Sequence, residues 1–325
     1  MKEIIVNKLS SGQKAEKFVR KYLSEAPLGF IYKAFRKKDV KVNGRWVDKD
    51  HVLQEGDVVR IYVTDQQLDD FKKPRPVTKQ DLPYPIAYED RGVLIVEKPK
   101  GLLVYGDATG VRETLGNAVL DYLYLKGEYD PENAAFTPSP AHRLDRNTSG
   151  LVVYGKTNEA LQELTLLFKE RAKLHKRYLA LTVGDIATDG TINAPLWKDA
   201  NNGRVYVRPI EQGGKEAMTK YHVVRRYGDY TLVEVELITG RTHQIRVHFA
   251  SIGHPLVGDE KYGDFASCRL VKKLTGLESQ FLHAYKLIFE DVGGALSELR
   301  NREIVCALPA DLRKVIEQLT AKGAQ

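Results

Sequence analysis

The N-terminal part of the chain combines strand and helix patterns over a short stretch. Apolar side chains at positions 15, 18, 19, 22 and 23 recur at helical spacing, with basic residues between them. An apolar strand pattern precedes this helix at residues 3–6, and another occupies residues 53–63. Asn43-Gly44 is a strong signal for a hairpin turn. These features predict a small α/β module over residues 1–64.

A larger region follows a polar connector. Residues 65–82 contain two prolines and lack periodicity, so they predict a linker. From residue 83 onward, strand and helix patterns alternate nearly to the end of the chain. They include an apolar strand at 151–154, an amphipathic helix at 158–172 and a hairpin that turns at Gly228-Asp229. We therefore predict one large domain over residues 83–325.

The loop before the strand at 151–154 has an unusual charge pattern. Asp145 lies between Arg143 and Arg146, and the turn formers Asn147–Gly150 follow. The two guanidinium groups favour the ionised form of the carboxylate, and the strand behind the loop would hold a reactive group in place. Taken alone, however, the pattern fits a surface ion-pair loop better than a reactive site.

Composition narrows the class of partner. The formal net charge is +7 and the isoelectric point is near 9.1, which favours nucleic acid over a membrane surface. Cys268 and Cys306 fit neither a disulfide framework nor a zinc site, so we expect a reducing cytoplasm. The first residues lack the apolar core of a signal peptide. His243, His248 and His254 lack metal-ligand spacing, and no nucleotide-binding motif occurs, so we expect neither a metal nor a cofactor.

Two blocks of the larger region match a known family. HRLDRNTSGL at residues 142–151 and GRTHQIR at residues 240–246 resemble signatures of the RluA-type RNA pseudouridine synthases, which isomerise uridine within folded RNA. The resemblance extends over nearly the whole chain. It implies an α+β fold, in which a mixed, mainly antiparallel β-sheet is flanked by helices.

The resemblance also implies roles for individual residues. Asp145 would be the catalytic residue, and Tyr178 would stack on the target base. Arg241 would form an ion pair with Asp145 and hold its rotamer. The local pattern predicts that Thr242 is the N-cap of a helix with Ile245 on its apolar face, which would place Arg241 beside the positive end of that helix.

Substrate contacts follow from the same resemblance. Arg143 would fill the space that a flipped uridine leaves, and Ile245 would form part of an apolar wall that excludes water. His142 is also assigned to the substrate site. Arg246 would contact an RNA phosphate or brace a loop. Lys98, in the turn after an apolar strand, would either approach the substrate or stabilise that turn.

The N-terminal module resembles the S4 RNA-binding domain, in which a helix pair and a VNG hairpin carry a basic surface. The basic residues predicted to contact RNA are Lys33, Arg36, Lys37, Lys38, Lys41 and Arg45. The alternative is a small α/β module whose lysines serve only solubility.

The predicted activity is isomerisation of uridine in structured RNA, with large-subunit ribosomal RNA as the expected target and a monomer as the expected state. Three alternatives stay open. The target could be transfer RNA, or the chain could be a non-catalytic RNA- or ribosome-binding protein. A nucleoside or glycoside hydrolase would use similar carboxylate chemistry, but such enzymes usually need a second carboxylate.

Overall fold

The computed structural model describes residues 1–71, 81–106, 113–131, 136–170, 172–263 and 265–323. Its described residues form a small N-terminal module and a larger C-terminal domain, each with its own apolar core. No described helix is long and apolar enough to cross a membrane.

The N-terminal module is an antiparallel sheet covered by a helix pair. Its elements are β1 (Lys2–Ile5), α1 (Ala15–Tyr22), α2 (Leu28–Arg36), β2 (Val40–Val42), β3 (Arg45–Trp46), β4 (Val58–Ile61) and α3 (Asp65–Phe71). The strand order is β1-β4-β2-β3. Asn43 and Gly44 both have positive φ and join β2 to β3, so the predicted hairpin turn is confirmed.

The first residues of the predicted linker belong to this module. Residues 65–71 form α3, because Leu68 and Phe71 pack against the module core. The Phe71 ring lies 4.8 Å from that of Phe30, and the Phe71 carbonyl accepts a hydrogen bond from the Glu25 backbone N–H. Burial of these side chains therefore extends ordered structure into the polar segment. Residues 72–80 of the linker lie outside the described residues.

The C-terminal domain is built on one large sheet with helices against it. Its strands are β5 (Ile86–Glu89), β6 (Val93–Lys98), β7 (Ser139–Pro140), β8 (Ser149–Gly155), β9 (Leu174–Val183), β10 (Gly190–Asn193), β11 (Leu196–Lys198), β12 (Val205–Val207), β13 (Met218–Arg226), β14 (Tyr230–Leu237), β15 (Leu282–Phe289) and β16 (Arg302–Val305). Its helices are α4 (Leu115–Leu125), α5 (Asn158–Glu170), α6 (Gln244–Ser251), α7 (Phe265–Thr275) and α8 (Ala310–Gly323).

The large sheet is mixed and mainly antiparallel, which confirms the expected α+β fold. Its main path is β10-β13-β14-β9-β15-β8-β6-β5, with β7 on β8 and β16 on β15. Within the described ranges, β8 and β15 are the one parallel pair. The strands β11 and β12 form a separate two-stranded sheet.

The start of β8 is held unusually close to β15. A Cβ on Gly150 would lie 2.2 Å from the Ala284 carbonyl oxygen, and Gly150 has a φ of +119°, so the position requires glycine. The neighbouring Ser149 hydroxyl is 2.9 Å from Nδ1 of His283, and both residues are buried. The loop that ends at β8 is therefore anchored firmly at its C-terminal side.

Candidate active site

Asp145 lies in the loop between β7 and β8, and the buried side chain of Lys98 holds this loop in place. The Thr148 backbone N–H donates to the Asp145 carbonyl at 3.0 Å, which closes a turn. Lys98 is 1% exposed, and its Nζ donates to the carbonyls of Pro99, Leu102 and Arg146 at 2.8–2.9 Å. Burial lowers the pKa of Lys98 to about 7, against the opposing effect of the Asp145 charge. Lys98 is thus a structural brace for the loop.

Arg146 also contacts the scaffold. Its Nε donates to the Gly101 carbonyl at 3.1 Å, while its own carbonyl accepts from Lys98. Arg143 has a different environment, because its side chain is exposed at the rim of the Asp145 site. It forms no hydrogen bond or ion pair with the residues that the structure describes. The two arginines that flank Asp145 are therefore distinct in role.

The ion-pair partner of Asp145 is Arg246. Nη1 of Arg246 lies 3.3 Å from Oδ2 of Asp145. The same guanidinium forms two hydrogen bonds of 2.7 and 2.8 Å with Asp259, which is fully buried. Burial alone would lower the pKa of Arg246, but Asp259 and then Asp145 raise it above its ordinary value. The guanidinium is therefore a fixed positive group that orients the Asp145 carboxylate.

The prediction that Arg241 forms an ion pair with Asp145 is wrong. Nε of Arg241 instead donates to the Glu216 carbonyl at 2.9 Å, and its side chain is exposed. The backbone explains the difference, because α6 begins only at Gln244. His243 precedes it with a φ of +53°. Arg241 consequently lies in the turn before α6. Arg246 lies within the first turn of α6, and it is the arginine that reaches Asp145.

The N-terminus of α6 is held by Gln244. Thr242 was expected to be the N-cap, but the N-cap position is His243, without a side-chain cap. The Gln244 amide oxygen accepts from the Arg241 backbone N–H at 3.0 Å and from the Thr239 hydroxyl at 2.6 Å. Its amide nitrogen donates to the Met218 carbonyl at 2.9 Å. This buried amide ties the helix start to β13 and replaces the expected cap.

His243 and Tyr262 extend the polar network around the carboxylate. Nε2 of His243 lies 3.8 Å from Oδ2 of Asp145, and its Nδ1 forms a 2.7 Å hydrogen bond with the Tyr262 hydroxyl. Burial lowers the pKa of His243, although the Asp145 charge opposes this shift. Asp145 thus has a guanidinium at 3.3 Å and an imidazole at 3.8 Å from the same oxygen.

Tyr178 is on the central strand β9 and faces the same cavity as Asp145. It lies opposite Val235 of β14 and Ala284 of β15, and it is 7% exposed. Burial and the nearby Asp145 carboxylate raise the pKa of Tyr178 well above its usual value. The phenol is therefore neutral, and its ring is a rigid face beside the carboxylate.

Asp145 and Tyr178 line a cavity of about 290 Å³. This volume is at the lower end of the range for small-molecule sites, which is ~300–1,000 Å³. Its apolar lining consists of Leu144, Phe168, Leu237, Ile245 and Leu282. Ile245 is in the predicted position, and Arg241 and His243 are also part of the lining. The cavity combines one oriented carboxylate with an apolar wall, an aromatic face and basic side chains that include Lys176 and Arg241, an arrangement that suits a flat group.

His142 braces the wall of the cavity. Its Nε2 accepts a hydrogen bond from the Val153 backbone N–H at 3.2 Å, and its ring stacks on Phe168 with centroids 4.3 Å apart. Burial lowers the pKa of His142 to about 3, and the positive charge of Lys176 acts in the same direction. The imidazole is therefore neutral and holds the loop against β8.

This environment predicts a pH dependence of stability. The unfolded chain takes up a proton at His142 as the pH falls through 6.5, whereas the folded protein does so only near 3. Stability is therefore lost as the pH falls through this window, by up to about 1.4 kcal/mol per pH unit for one proton. His142→Gln keeps an acceptor for Val153 and removes the titration. Urea denaturation at about pH 7.5 and about pH 5 should show a smaller loss for the variant. Equal losses would mean that His142 is solvated and free to protonate.

Within the described residues, no group of three or more histidine, cysteine or acidic side chains is placed to hold a metal ion.

Comparison with known proteins assigns the family. Residues 92–251 match the RNA pseudouridylate synthase family model. The chain is 35% identical over 320 residues to the ribosomal large subunit pseudouridine synthase C of Vibrio vulnificus (strain CMCP6), and the match covers 95% of this chain and 93% of that protein. The chain belongs to the RNA pseudouridylate synthase family. The resemblance stated from the HRLDRNTSGL and GRTHQIR blocks is thus confirmed at the level of the family.

Other matches agree with this family assignment. An uncharacterized RNA pseudouridine synthase of Aquifex aeolicus (strain VF5) is 38% identical over 284 residues, which is 85% of each chain. A solved structure, human RNA Pseudouridylate Synthase Domain Containing 4, has a TM-score of 0.58 at 24% identity and covers 72% of this chain and 92% of that one. It supports the fold of the pseudouridylate synthase domain. The family activity is an isomerisation, so the chain is an RNA pseudouridine synthase.

The family model that matches part of the N-terminal module is not that of the expected S4 domain. Residues 33–63 match the TGS domain model, so the comparison does not identify the module as S4-like. Among the predicted RNA contacts, Lys41 is half-buried, and the other five are exposed. These are Lys33, Arg36, Lys37, Lys38 and Arg45. None of the six forms an ion pair with the residues described by the structure.

Two important site residues were not assigned from the sequence. Asp259 lies in the turn at residues 258–263, and it is the buried partner of Arg246. Tyr262, three positions later, links His243 to the chain around Val205. A usable signal was the pair of acids Asp259 and Glu260 in the turn segment 258–263, because a buried arginine needs a carboxylate partner.

Proposed function

We propose that this synthase converts uridine to pseudouridine in large-subunit ribosomal RNA, with Asp145 as the catalytic residue. The single observation that carries the proposal is the position of the Asp145 carboxylate. It is held by Arg246 at 3.3 Å at the wall of a cavity that Tyr178 and several apolar side chains also line. A uracil base can enter this cavity once it leaves the RNA stack.

The reaction needs only rearrangement within one nucleotide. The bond between C1′ of ribose and N1 of uracil breaks, the base rotates, and C5 bonds to C1′. C5 releases its proton and N1 takes one up, so the composition of the nucleotide is unchanged. A carboxylate beside C1′ can stabilise positive charge on the sugar or attack it as a nucleophile. Arg246 keeps this carboxylate in one orientation, so the group is positioned before the substrate binds.

The walls of the cavity support the step in which the base is detached. The Tyr178 ring provides a face on which the uracil stacks, and Ile245 and Leu144 exclude water. Exclusion of water prevents hydrolysis of the sugar–enzyme state and the loss of free uracil. The site therefore favours isomerisation over hydrolysis.

Arg143 is suited to the flipping step. Its exposed guanidinium is two residues from Asp145 at the rim of the cavity, where it can stack in the space left by the uridine. Flipping has a cost of a few kcal/mol for unstacking and unpairing. A planar cation in the vacated position offsets part of that cost.

The ribosomal target rests on the relatives. The Vibrio vulnificus protein, like relatives in Salmonella typhi and Escherichia coli (strain K12), is named for the ribosomal large subunit. The test is to map pseudouridines in ribosomal and transfer RNA from cells with the gene, without it, and complemented with Asp145→Asn. We expect specific positions of large-subunit RNA to lack pseudouridine in cells without the gene and in cells complemented with Asp145→Asn. Loss confined to transfer RNA would contradict the target, and no loss in any RNA would contradict the function.

We further propose that the N-terminal module binds RNA in an S4-like manner. The helix pair α1–α2, followed by the β2–β3 hairpin, supports the S4-like arrangement. Lys38 lies over the Trp46 ring at 5.3 Å, and Trp46 is 48% exposed, so cationic and aromatic groups alternate on one surface. Both kinds of group bind nucleic acid, by phosphate contact and by stacking.

This role predicts a change in salt dependence. Replacing Lys33, Arg36 and Lys37 by Gln should lower the affinity for ribosomal RNA and reduce the slope of log K against log salt by about 2–3. The matched control replaces Lys272, Lys273 and Lys314, exposed on α7 and α8, by Gln. Binding titrations at several salt concentrations measure the slopes. Equal slopes for the two variants would contradict an RNA-binding role for this surface.

Cys268 and Cys306 are buried and form no disulfide within the described residues, which supports a reducing compartment, and we propose the cytoplasm. The catalytic groups named above all come from one chain, which supports action as a monomer.

A further inference from the structure

The β11–β12 hairpin, residues 196–207, is an accessory element beside the active site. Its two strands pair with each other, with Trp197 opposite Tyr206, and they form a sheet separate from the large one. An isolated bridge between Leu196 and Lys215 joins the hairpin to the segment before β13. Leu196 and Val205 point inward, where they pack with Ala217 and Val247 in a small core of their own. Because side chains alternate along a strand, Trp197 and Tyr206 are on the opposite face of the hairpin, where Tyr206 is exposed.

The exposed surface of the hairpin is aromatic and positively charged. Tyr206 is 41% exposed, and its ring centroid lies 6.3 Å from that of Trp197. The Arg208 guanidinium lies over the Trp197 ring, at 4.0 Å from its centroid. Lys198 and Arg204 are also exposed, and neither forms an ion pair with a described residue. Such a surface attracts polyanions with flat groups.

Contacts through Tyr262 and His243 join the hairpin to the catalytic carboxylate. The Val205 backbone N–H donates to the Tyr262 hydroxyl at 2.9 Å, and the same hydroxyl is bonded to His243, whose Nε2 is 3.8 Å from Asp145. Lys261 donates to the Gly203 carbonyl at 3.0 Å, which fixes the hairpin turn. Arg204 lies over the Tyr262 ring at 5.3 Å from its centroid, and Arg246, which orients Asp145, lies over the same ring at 5.1 Å, so a basic side chain of the hairpin is adjacent to the active site.

We propose that the β11–β12 hairpin binds the single-stranded RNA that flanks the target uridine. A neighbouring base stacks on Tyr206, and Arg204, Lys198 and Lys261 contact phosphates. The proposal rests on the assigned activity only in taking RNA as the substrate. Charge complementarity and continuity with the active site both favour RNA over a protein partner for this surface.

The test uses the full-length protein and a fluorescent oligouridine of about 12 nucleotides, a length near the site size of a stacking platform. Tyr206→Ala should weaken binding about 5- to 150-fold, the range expected for one stacked base. Tyr206→Phe keeps the ring and should bind as the wild type does. Because Tyr206 is exposed, both variants should fold, and thermal unfolding checks this.

Arg204→Gln should reduce the salt slope of oligouridine binding by about 1, whereas Arg313→Gln on α8 should leave it unchanged. Equal binding by Tyr206→Ala and the wild type overturns the inference. So does a loss of modification without a loss of oligouridine binding, because the hairpin would then affect the reaction by a route other than RNA binding. The binding assay does not depend on Asp145, so failure here is separate from failure of the proposed isomerase activity.

Discussion

Replacing Arg246 by Met is expected to lower the rate of pseudouridine formation by about a hundredfold or more, because small misplacements of a reacting group have effects of that size. Arg246 is the group that orients the Asp145 carboxylate, at 3.3 Å. Its loss also leaves Asp259 fully buried without its partner. Removal of one member of a buried ion pair typically costs about 3–5 kcal/mol of stability. Rate measurements on bulk RNA and urea denaturation test both effects.

Two further variants separate activity from folding. Arg246→Met combined with Asp259→Asn removes both charges, so stability should recover while the activity stays low. Arg241→Met removes an exposed side chain that bonds to the Glu216 carbonyl, and it should change KM for RNA more than kcat. If the Arg241 variant lost kcat and the Arg246 variant kept it, the assignment of the Asp145 partner would be wrong.

The elements with strong local signals were predictable from the sequence. The helix expected at 158–172 is α5, Asn158–Glu170, since its apolar spacing and the Thr157 hydroxyl at its start are local features. The hairpin at Gly228-Asp229 joins β13 to β14 as expected. In both, short-range periodicity and turn chemistry decide the structure.

The partner of Asp145 was not predictable in the same way. Arg241 and Arg246 stand in one motif, and the choice between them depends on where α6 begins and on the left-handed backbone of His243. The pairing spans 101 residues of sequence. The carboxylate that fixes Arg246 comes from another segment, at Asp259. Such a network is defined only when three distant segments meet, so spacing within one motif could not reveal it.

The role of Lys98 could not be predicted from the sequence either. A lysine in a turn after a strand is compatible with substrate contact or with a structural role. The three carbonyls that surround its ammonium come from the turn itself and from the Asp145 loop, 48 residues away. Only the fold brings these acceptors together, and the fold therefore decides the role.

Asp145→Asn is expected to abolish turnover while leaving the protein folded. The substitution conserves shape and removes the negative charge that the reaction at C1′ requires. Arg246 keeps both hydrogen bonds to Asp259, so no buried charge loses its main partner. The Asp145 side chain is 24% exposed, and stability should change by no more than about 1 kcal/mol. RNA binding should also persist, because the carboxylate does not attract phosphate.

The most direct test is release of tritium from RNA labelled at C5 of uridine, since the C5 hydrogen leaves when C5 bonds to C1′. Bulk ribosomal RNA from cells without the gene is the substrate, and the wild type and Asp145→Asn are compared at equal RNA binding. We predict release by the wild type and only background release by the variant. Release by the variant at the wild-type rate would contradict the central claim that the Asp145 carboxylate performs the isomerisation.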